Sequence, residues 1–200
     1  PTFDPHRYSE SFCNFADDVN GDGWTDHIII GFPGRPSWWL ENPAGKEGFW
    51  KRHEFVSVTT NESPTYLDVD GDGRREVVLG FSPDPAKSDG PDRQMALARP
   101  GKDPTQPWPL QFISAKGAPG TTRFSHGLGV GDINKDGYRD VLVTDGWWQS
   151  PADPRAEGEW IFHRKPLGQK CAQMYVYDFD GDGDNDVLSS SAHAFGIWWH

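Results

Sequence analysis

The sequence predicts an all-β protein, a β-propeller or an arc of one, built from four-stranded blades. Three observations carry this prediction. A nine-residue acidic segment occurs four times at intervals of about 50 residues, which suits one blade per repeat. Short runs of β-branched residues follow each copy, and alternating stretches typical of strands precede it. The 200 residues include 23 Gly and 17 Pro, which favours many short elements joined by turns and argues against a helical bundle.

The elements of a blade can be followed in order along each repeat. The acidic segments begin at Asp18, Asp68, Asp132 and Asp178. Each leads into a β-rich run that we assign to a second strand: residues 27–30, 77–79, 141–143 and 187–188. Three copies continue with a tryptophan pair: Trp38-Trp39, Trp147-Trp148 and Trp198-Trp199. Three copies reach an outer strand anchored by a further tryptophan: Trp50, Trp108 or Trp160. We interpret the tryptophans as blade-to-blade packing, with sugar stacking as the alternative.

Two details depart from this regular pattern. In the second copy a Pro-, Asp- and Lys-rich stretch, residues 82–92, replaces the tryptophan pair, and we interpret it as an inserted surface loop. His53 and His163 follow the outer-strand tryptophans by three residues and stand beside basic residues. We therefore expect both histidines to lie at the surface.

Each acidic segment has the composition of a calcium loop. Carboxylate or amide oxygens occupy positions 1, 3, 5 and 9, and glycine at position 6 permits a sharp turn. Calcium takes six to eight hard oxygen ligands, and alternate residues of a tight loop turn toward one centre. A turn-forming role alone would account for one copy, but not for four that share the acid at position 9. The candidate metal ligands are Asp18, Asn20, Asp22, Asp26, Asp68, Asp70, Asp72, Glu76, Asp132, Asn134, Asp136, Asp140, Asp178, Asp180, Asp182 and Asp186.

The four loops, with the strands around them, resemble the FG-GAP or VCBS repeat family, whose propellers include the integrin α-subunit head. The resemblance covers nearly the whole chain and divides it into repeats at about residues 8–60, 61–120, 121–168 and 169–200. It implies up to four bound Ca²⁺ ions, one per blade. It also implies that each loop joins the inner strand of a blade to the second strand, so that all loops lie on one face of the disc.

The face opposite the loops is then formed by the starts of inner strands and the ends of second strands. The polar residues at those places are Glu10, Glu62, His126, Asp145, Gln173 and His193. An acid–imidazole–amide cluster of this kind can bind a polyol, hold a transition metal or transfer protons. The alternative is an ordinary set of polar residues on a wet funnel. Glu62, His126, Asp145, Gln173 and His193 are the candidate catalytic residues, with small neighbours leaving both imidazoles accessible.

Two functions fit these expectations. The first is a calcium-stabilised extracellular module, integrin-like, that binds a protein or carbohydrate partner through the face opposite the loops. The second is a metal-dependent sugar lyase or dehydratase similar to the fungal aldos-2-ulose dehydratases, with its site at the channel mouth and a transition metal added to the calcium. We expect a secreted, periplasmic or cell-surface location, because millimolar calcium there suits weak loop sites.

Charge and segment lengths limit the partners. The net charge of −11 would repel a phosphate backbone, so nucleic acid is not expected. No apolar run approaches the length that spans a bilayer.

Cys13 and Cys171 could pair if the first and fourth blades are neighbours, and are otherwise buried thiols. The chain starts at Pro1 and its last repeat lacks an outer strand, so we expect an open arc of a longer propeller. A closing strand from Pro1–Arg7 is the alternative.

Overall fold

The computed structural model describes residues 10–168 and 170–200, and this part of the chain is all-β. It contains fifteen strands, a single 3-10 turn at Pro85–Lys87, and no α-helix. The segment Pro1–Arg7, considered above as a closing strand, lies outside the described residues. Within the described residues, no helix is long and apolar enough to span a bilayer.

The strands are short and follow one another in three groups of four and a last group of three. The first group is β1 (Ser11–Asp17), β2 (Asp26–Gly31), β3 (Arg35–Glu41) and β4 (Lys51–Thr59). The second is β5 (Thr65–Leu67), β6 (Glu76–Phe81), β7 (Gln94–Ala98) and β8 (Leu110–Phe112). The third is β9 (Leu128–Gly131), β10 (Asp140–Val143), β11 (Gly146–Gln149) and β12 (Ile161–Arg164). The last is β13 (Cys171–Tyr177), β14 (Asp186–Ser191) and β15 (Ile197–Trp199).

Within each group, which we call a unit, successive strands pair antiparallel with their neighbours in sequence. Short turns suffice for this order, which is why it tolerates so many Gly and Pro residues. The acidic segments lie in the first connection of every unit, between β1 and β2, β5 and β6, β9 and β10, and β13 and β14.

Single residue pairs join the units into two sheets. Thr59 on β4 pairs with Phe81 on β6, which merges the first two units into one eight-stranded sheet. Gln173 on β13 pairs parallel with Leu128 on β9, which merges the last two into a seven-stranded sheet. Within residues 10–168 and 170–200, neither sheet closes on itself.

The hydrophobic core lies between successive units. Val77 on β6 packs in a cluster with Ile28 and Trp39 of the first unit, whereas its neighbour Val78 packs in a cluster with Val141 of the third. This split follows from strand geometry, since adjacent side chains point to opposite faces. Leu142, next to Val141, continues the pattern toward the fourth unit. Each middle unit is therefore buried on both faces.

The tryptophans contribute to this stacking. Trp39 and Trp148, the second members of their pairs, are buried, and their preceding partners are half-buried. Trp108 donates its backbone N–H to Phe55 of the first unit (2.9 Å) and stacks on that ring at 4.3 Å. Trp160 makes the matching backbone bond to Ile113 of the second unit (2.8 Å). Trp108 and Trp160 thus link the second unit to the first and the third unit to the second.

The second unit shows how the 82–92 stretch is accommodated. It connects β6 to β7 and holds the 3-10 turn, whose first amides are capped by Asp84 (Ala86 N to Oδ1, 2.9 Å). Ser88, within the stretch, is buried although most of its neighbours are exposed.

Cys13 is half-buried and Cys171 is buried, and both remain thiols.

Candidate calcium loops and an imidazole–carboxylate cluster

The four acidic loops share one backbone conformation. Glycine at position 6 has a positive φ in every copy: Gly23 (87°), Gly73 (87°), Gly137 (90°) and Gly183 (94°). Position 4 is also left-handed, as glycine in three copies and as Lys135 (61°) in the third. Left-handed backbone is costly for residues with a Cβ, so its repetition indicates a loop shape that all four copies require.

The acids of each loop accept hydrogen bonds from the loop's own amides. The position 1 carboxylate accepts from the position 6 glycine, as in Gly23 N to Asp18 Oδ2 (2.8 Å) and Gly137 N to Asp132 Oδ2 (2.9 Å). The position 5 carboxylate accepts from position 7, as in Trp24 N to Asp22 Oδ1 (2.8 Å). The same bonds recur in the other two copies. These bonds turn the acidic side chains inward.

The acid at position 9 is buried in the first three loops, whereas its counterpart in the fourth, Asp186, is half-buried. Asp26, Glu76 and Asp140 are each at most 1% exposed, and each accepts the backbone N–H of position 2. Burial, reinforced by the neighbouring carboxylates, raises the pKa of Asp140 to about 6. Burial likewise raises the pKa of Asp26, and that of Glu76 to about 7. An ionised carboxylate at this position therefore needs a compensating positive charge.

The oxygen atoms are close enough to share an ion. In the second loop, one carboxylate oxygen each from Asp68, Asp70 and Glu76 lies within 4.8 Å of the others, and Asp178, Asp180 and Asp186 do the same in the fourth. Position 3 is an amide in the first and third loops, where an Asn side chain also supplies an oxygen. Inward-facing hard oxygens with a buried acid fit calcium chemistry.

At the opposite ends of the same strands, Glu62, His126 and His193 come together. The Nδ1 atom of His126 lies 2.9 Å from Glu62 Oε2, and its Nε2 atom lies 2.7 Å from His193 Nε2. The two imidazole rings meet edge to face at 4.4 Å. We call these three residues the histidine cluster. Its members come from three different units, preceding β5, preceding β9 and following β14.

Two chain segments fix the first two members of the cluster. Glu62 donates its backbone N–H to the Ser125 carbonyl (2.8 Å), and Phe124 donates to the Thr60 carbonyl (3.0 Å). Gly127 follows His126 and has a φ of 81°. A Cβ added to Gly127 would lie 2.5 Å from Thr144 Oγ1. The backbone around His126 is thus closely packed, and the imidazole has a defined position.

The environment of His126 favours its neutral form. Burial lowers the pKa of His126, and this outweighs the opposite effect of the Glu62 carboxylate, while His193 and Lys170 lower it further. With the carboxylate accepting from Nδ1–H, the lone pair is on Nε2, the atom that faces His193. Such an imidazole can accept a proton or bind a metal through Nε2.

The remaining candidate residues lie elsewhere on this side of the fold. Asp145 is in the turn between β10 and β11, where its carbonyl accepts from Lys165 N (3.0 Å). Gln173 is exposed on β13 and Glu10 is exposed just before β1. In the described part of the chain none of the three hydrogen-bonds to the histidine cluster.

The expectation that His53 and His163 lie at the surface is wrong. His53 stacks on Trp39 (4.6 Å) and reaches Glu41 Oε2 (2.9 Å), and His163 stacks on Trp147 (4.3 Å). The cross-strand pairing of β3 with β4 and of β11 with β12 places each ring against a tryptophan.

A cleft of about 540 Å³ lies between the second and third units beside the second acidic loop, and Arg99, Arg155 and Phe112 are among the residues that line it. Both arginines belong to ion pairs with the second loop, which are described below.

The comparisons with known proteins agree with the repeat. Residues 18–79 match the family model of the FG-GAP-like repeat, so this segment, with the first two acidic loops, is FG-GAP repeat sequence. No curated protein matches the chain in sequence. Among solved structures, the V. cholerae biofilm matrix protein Bap1 is similar at 18% identity and a TM-score of 0.41. The alignment covers 90% of this chain and 29% of Bap1, so the chain spans less than a third of that protein.

Proposed function

We propose that this chain is a calcium-stabilised extracellular module of the β-propeller type, with repeats at about residues 8–60, 61–120, 121–168 and 169–200. One observation carries the proposal: four loops of the same conformation direct carboxylate or amide oxygens inward, at the same end of four successive units. Calcium bound at these loops would compensate their inward-facing acids and reduce the net charge of −11.

The partner would bind at the opposite end of the strands. There, loops from three units meet at the histidine cluster, and a surface built from several rigid units suits recognition. The partner class we propose is a protein or carbohydrate, because imidazole and carboxylate groups offer both donors and acceptors to hydroxyl or amide groups. The location that suits weak calcium loops is outside the cytoplasm, where calcium is millimolar.

Binding to an array of glycans and to candidate extracellular proteins, in calcium, tests this function. A ligand of the proposed face should lose at least about tenfold in affinity with His193→Ala, which removes one hydrogen-bonding imidazole. Asp182→Asn, at the other end of the strands, should leave that affinity unchanged in saturating calcium. Binding that fails in Asp182→Asn and survives in His193→Ala would place the partner on the loop face instead.

A second function, a sugar lyase, is favoured by the pairing of Glu62 with His126. A neutral imidazole oriented by a carboxylate is the arrangement of a general base. In this reaction His126 Nε2 takes the proton α to the carbonyl of a keto-sugar, a C=C bond forms, and the β-hydroxyl leaves as water after receiving a proton from the imidazolium of His126 or His193. A metal held by His193, rather than by the His126 nitrogen that takes the proton, would supply Lewis acidity toward the carbonyl.

Metal analysis and an elimination assay separate the two functions. After dialysis, calcium alone and no enone absorbance from keto-sugars would support the binding module. A tightly held Zn or Mn that is lost in His193→Ala, with turnover that falls at least about a hundredfold in His126→Gln, would support the lyase.

A further inference from the structure

The second acidic loop differs from the others because two guanidinium groups contact its ligand oxygens. Arg155 Nε lies 2.6 Å from Asp70 Oδ2, and its Nη2 atom binds Asp72 Oδ2. Arg99 Nε lies 3.2 Å from Asp70 Oδ2 and 3.6 Å from Glu76 Oε1. Positions 3, 5 and 9 of this loop thus already face positive charge.

The sequence explains the contact made by Arg99. Extending the register of β6 with β7 by one residue places Arg99 opposite Glu76. The same extension in the first and third units places Glu41 and Gln149 opposite the position 9 acids. The next residue also differs. Asn42 and Ser150 donate their backbone N–H groups to Asp26 and Asp140 (2.8 and 2.9 Å).

Pro100 occupies the corresponding place in the second unit and has no N–H to donate. Glu76 Oε1 therefore has no backbone N–H of the kind that Asp26 and Asp140 receive from the residue at this place. The side chain of Arg99 lies beside this oxygen instead. An arginine and a proline that replace Gln149-Ser150 of the third unit thus change the chemistry of the loop.

The contact made by Arg155 crosses between units. This residue belongs to the connection between β11 and β12 of the third unit, in a turn held by Asp153 (Ala156 N to Asp153 O, 3.0 Å). The Asp70 side chain is 1% exposed, so its carboxylate needs a partner, and a two-pronged guanidinium suits a pair of acids. In the third loop, by contrast, Asp136 receives neutral amides from Asn134 (2.8 Å) and Gln149 (3.2 Å).

We propose that Arg99 and Arg155 take the place of calcium in the second loop, which makes it an ion-paired joint between the second and third units and a much weaker calcium site than the other loops. Two guanidinium groups carry the same formal charge as one Ca²⁺ ion. Calcium needs its oxygens at about 2.3–2.6 Å, so it could bind only by displacing both arginines from the acids that they contact. This inference rests on the proposed calcium binding of the other loops.

A calcium titration with matched variants tests it. Asp18→Asn and Asp68→Asn remove the same position 1 acid, with the same amide bonds, from the first and second loops. The proposal expects Asp18→Asn to lose one tight site and Asp68→Asn to lose none. Arg99→Gln combined with Arg155→Gln should gain a tight site, with affinity at least about tenfold above that of the wild-type loop. Loss of a tight site in Asp68→Asn, with no gain in the double variant, would overturn the proposal.

A second measurement judges the joint without calcium. In excess EDTA, Arg155→Gln should lower the melting temperature by about 3 °C or more, because the buried Asp70 loses the closer of its two guanidinium partners and Asp72 loses its guanidinium contact. Arg164→Gln, an exposed arginine on β12, should change it by less than about 1 °C. Equal melting of the two variants would refute the joint. If no loop bound calcium at all, the proposed function would fail, and this comparison would still decide on the joint.

Discussion

Acidification should stabilise the calcium-free protein, and Asp140 allows the size of this effect to be worked out. Its side chain is 0% exposed, and burial raises its pKa to about 6. In the unfolded chain an Asp titrates near pH 4. Between these values the folded protein binds a proton that the unfolded protein does not, so the stability contributed by protonation is present at low pH and is lost as the pH rises through about 6.

From about pH 7.5 to about pH 5, this difference adds about 1 kcal/mol to the free energy of unfolding. Other groups titrate in the same range. His126 contributes in the opposite direction, since burial lowers its pKa and the unfolded chain takes up the proton first. The effect of Asp140 is therefore isolated by subtraction: Asp140→Asn keeps the shape of the side chain but cannot titrate.

Urea unfolding followed by tryptophan fluorescence, in excess EDTA and at both pH values, measures the difference. Wild type should gain about 1 kcal/mol relative to Asp140→Asn on acidification. In calcium the relative change should reverse, because protons then compete with the ion for the carboxylate. An equal change with pH in the free energy of unfolding of the two proteins in EDTA would refute this reasoning. It would mean that burial does not disfavour the ionised form of the position 9 acid and that no positive charge is needed to compensate such a cost.

Three further outcomes are expected. Gly129→Ala should cost about 1–3 kcal/mol in urea unfolding, since its Cβ would lie 2.7 Å from the Met174 carbonyl oxygen where two units approach; a neutral effect would contradict that packing. Trp148→Ala should cost about 3–5 kcal/mol and Trp199→Ala, at 58% exposed, less than about 1 kcal/mol; equal costs would contradict the inter-unit core. Asp22→Ala should lower the melting temperature in calcium without shifting the NMR signals of the cluster imidazoles, and a shift would mean that the two ends of the fold are coupled.

The sequence was sufficient for features that depend on local spacing. The acidic loops repeat at fixed positions, and their glycines require the left-handed turns found at Gly23 and Gly137. The resemblance to the FG-GAP family placed Glu62, His126 and His193 on one face, and the structure brings these three into contact. Among the residues that the structure describes, Glu10, Asp145 and Gln173, named with them, do not hydrogen-bond to the cluster.

Other contacts could not be obtained in this way. Arg155 is 85 residues from Asp70 in the chain, and nothing local to either residue indicates their pairing. The stacking of His53 on Trp39 depends on the register of β3 with β4, which includes irregularities. Such contacts are set by the packing of whole strands and units, which periodicity does not specify.

Thermal unfolding with and without calcium tests the central claim most directly. At a calcium concentration about a hundredfold above the dissociation constant, one site adds about 2.7 kcal/mol, which corresponds to roughly 5–10 °C for a chain of this size. We therefore expect EDTA to lower the melting temperature by several degrees or more, and added calcium to restore it. A melting temperature that neither EDTA nor calcium changes would contradict the assignment of the acidic loops as calcium sites.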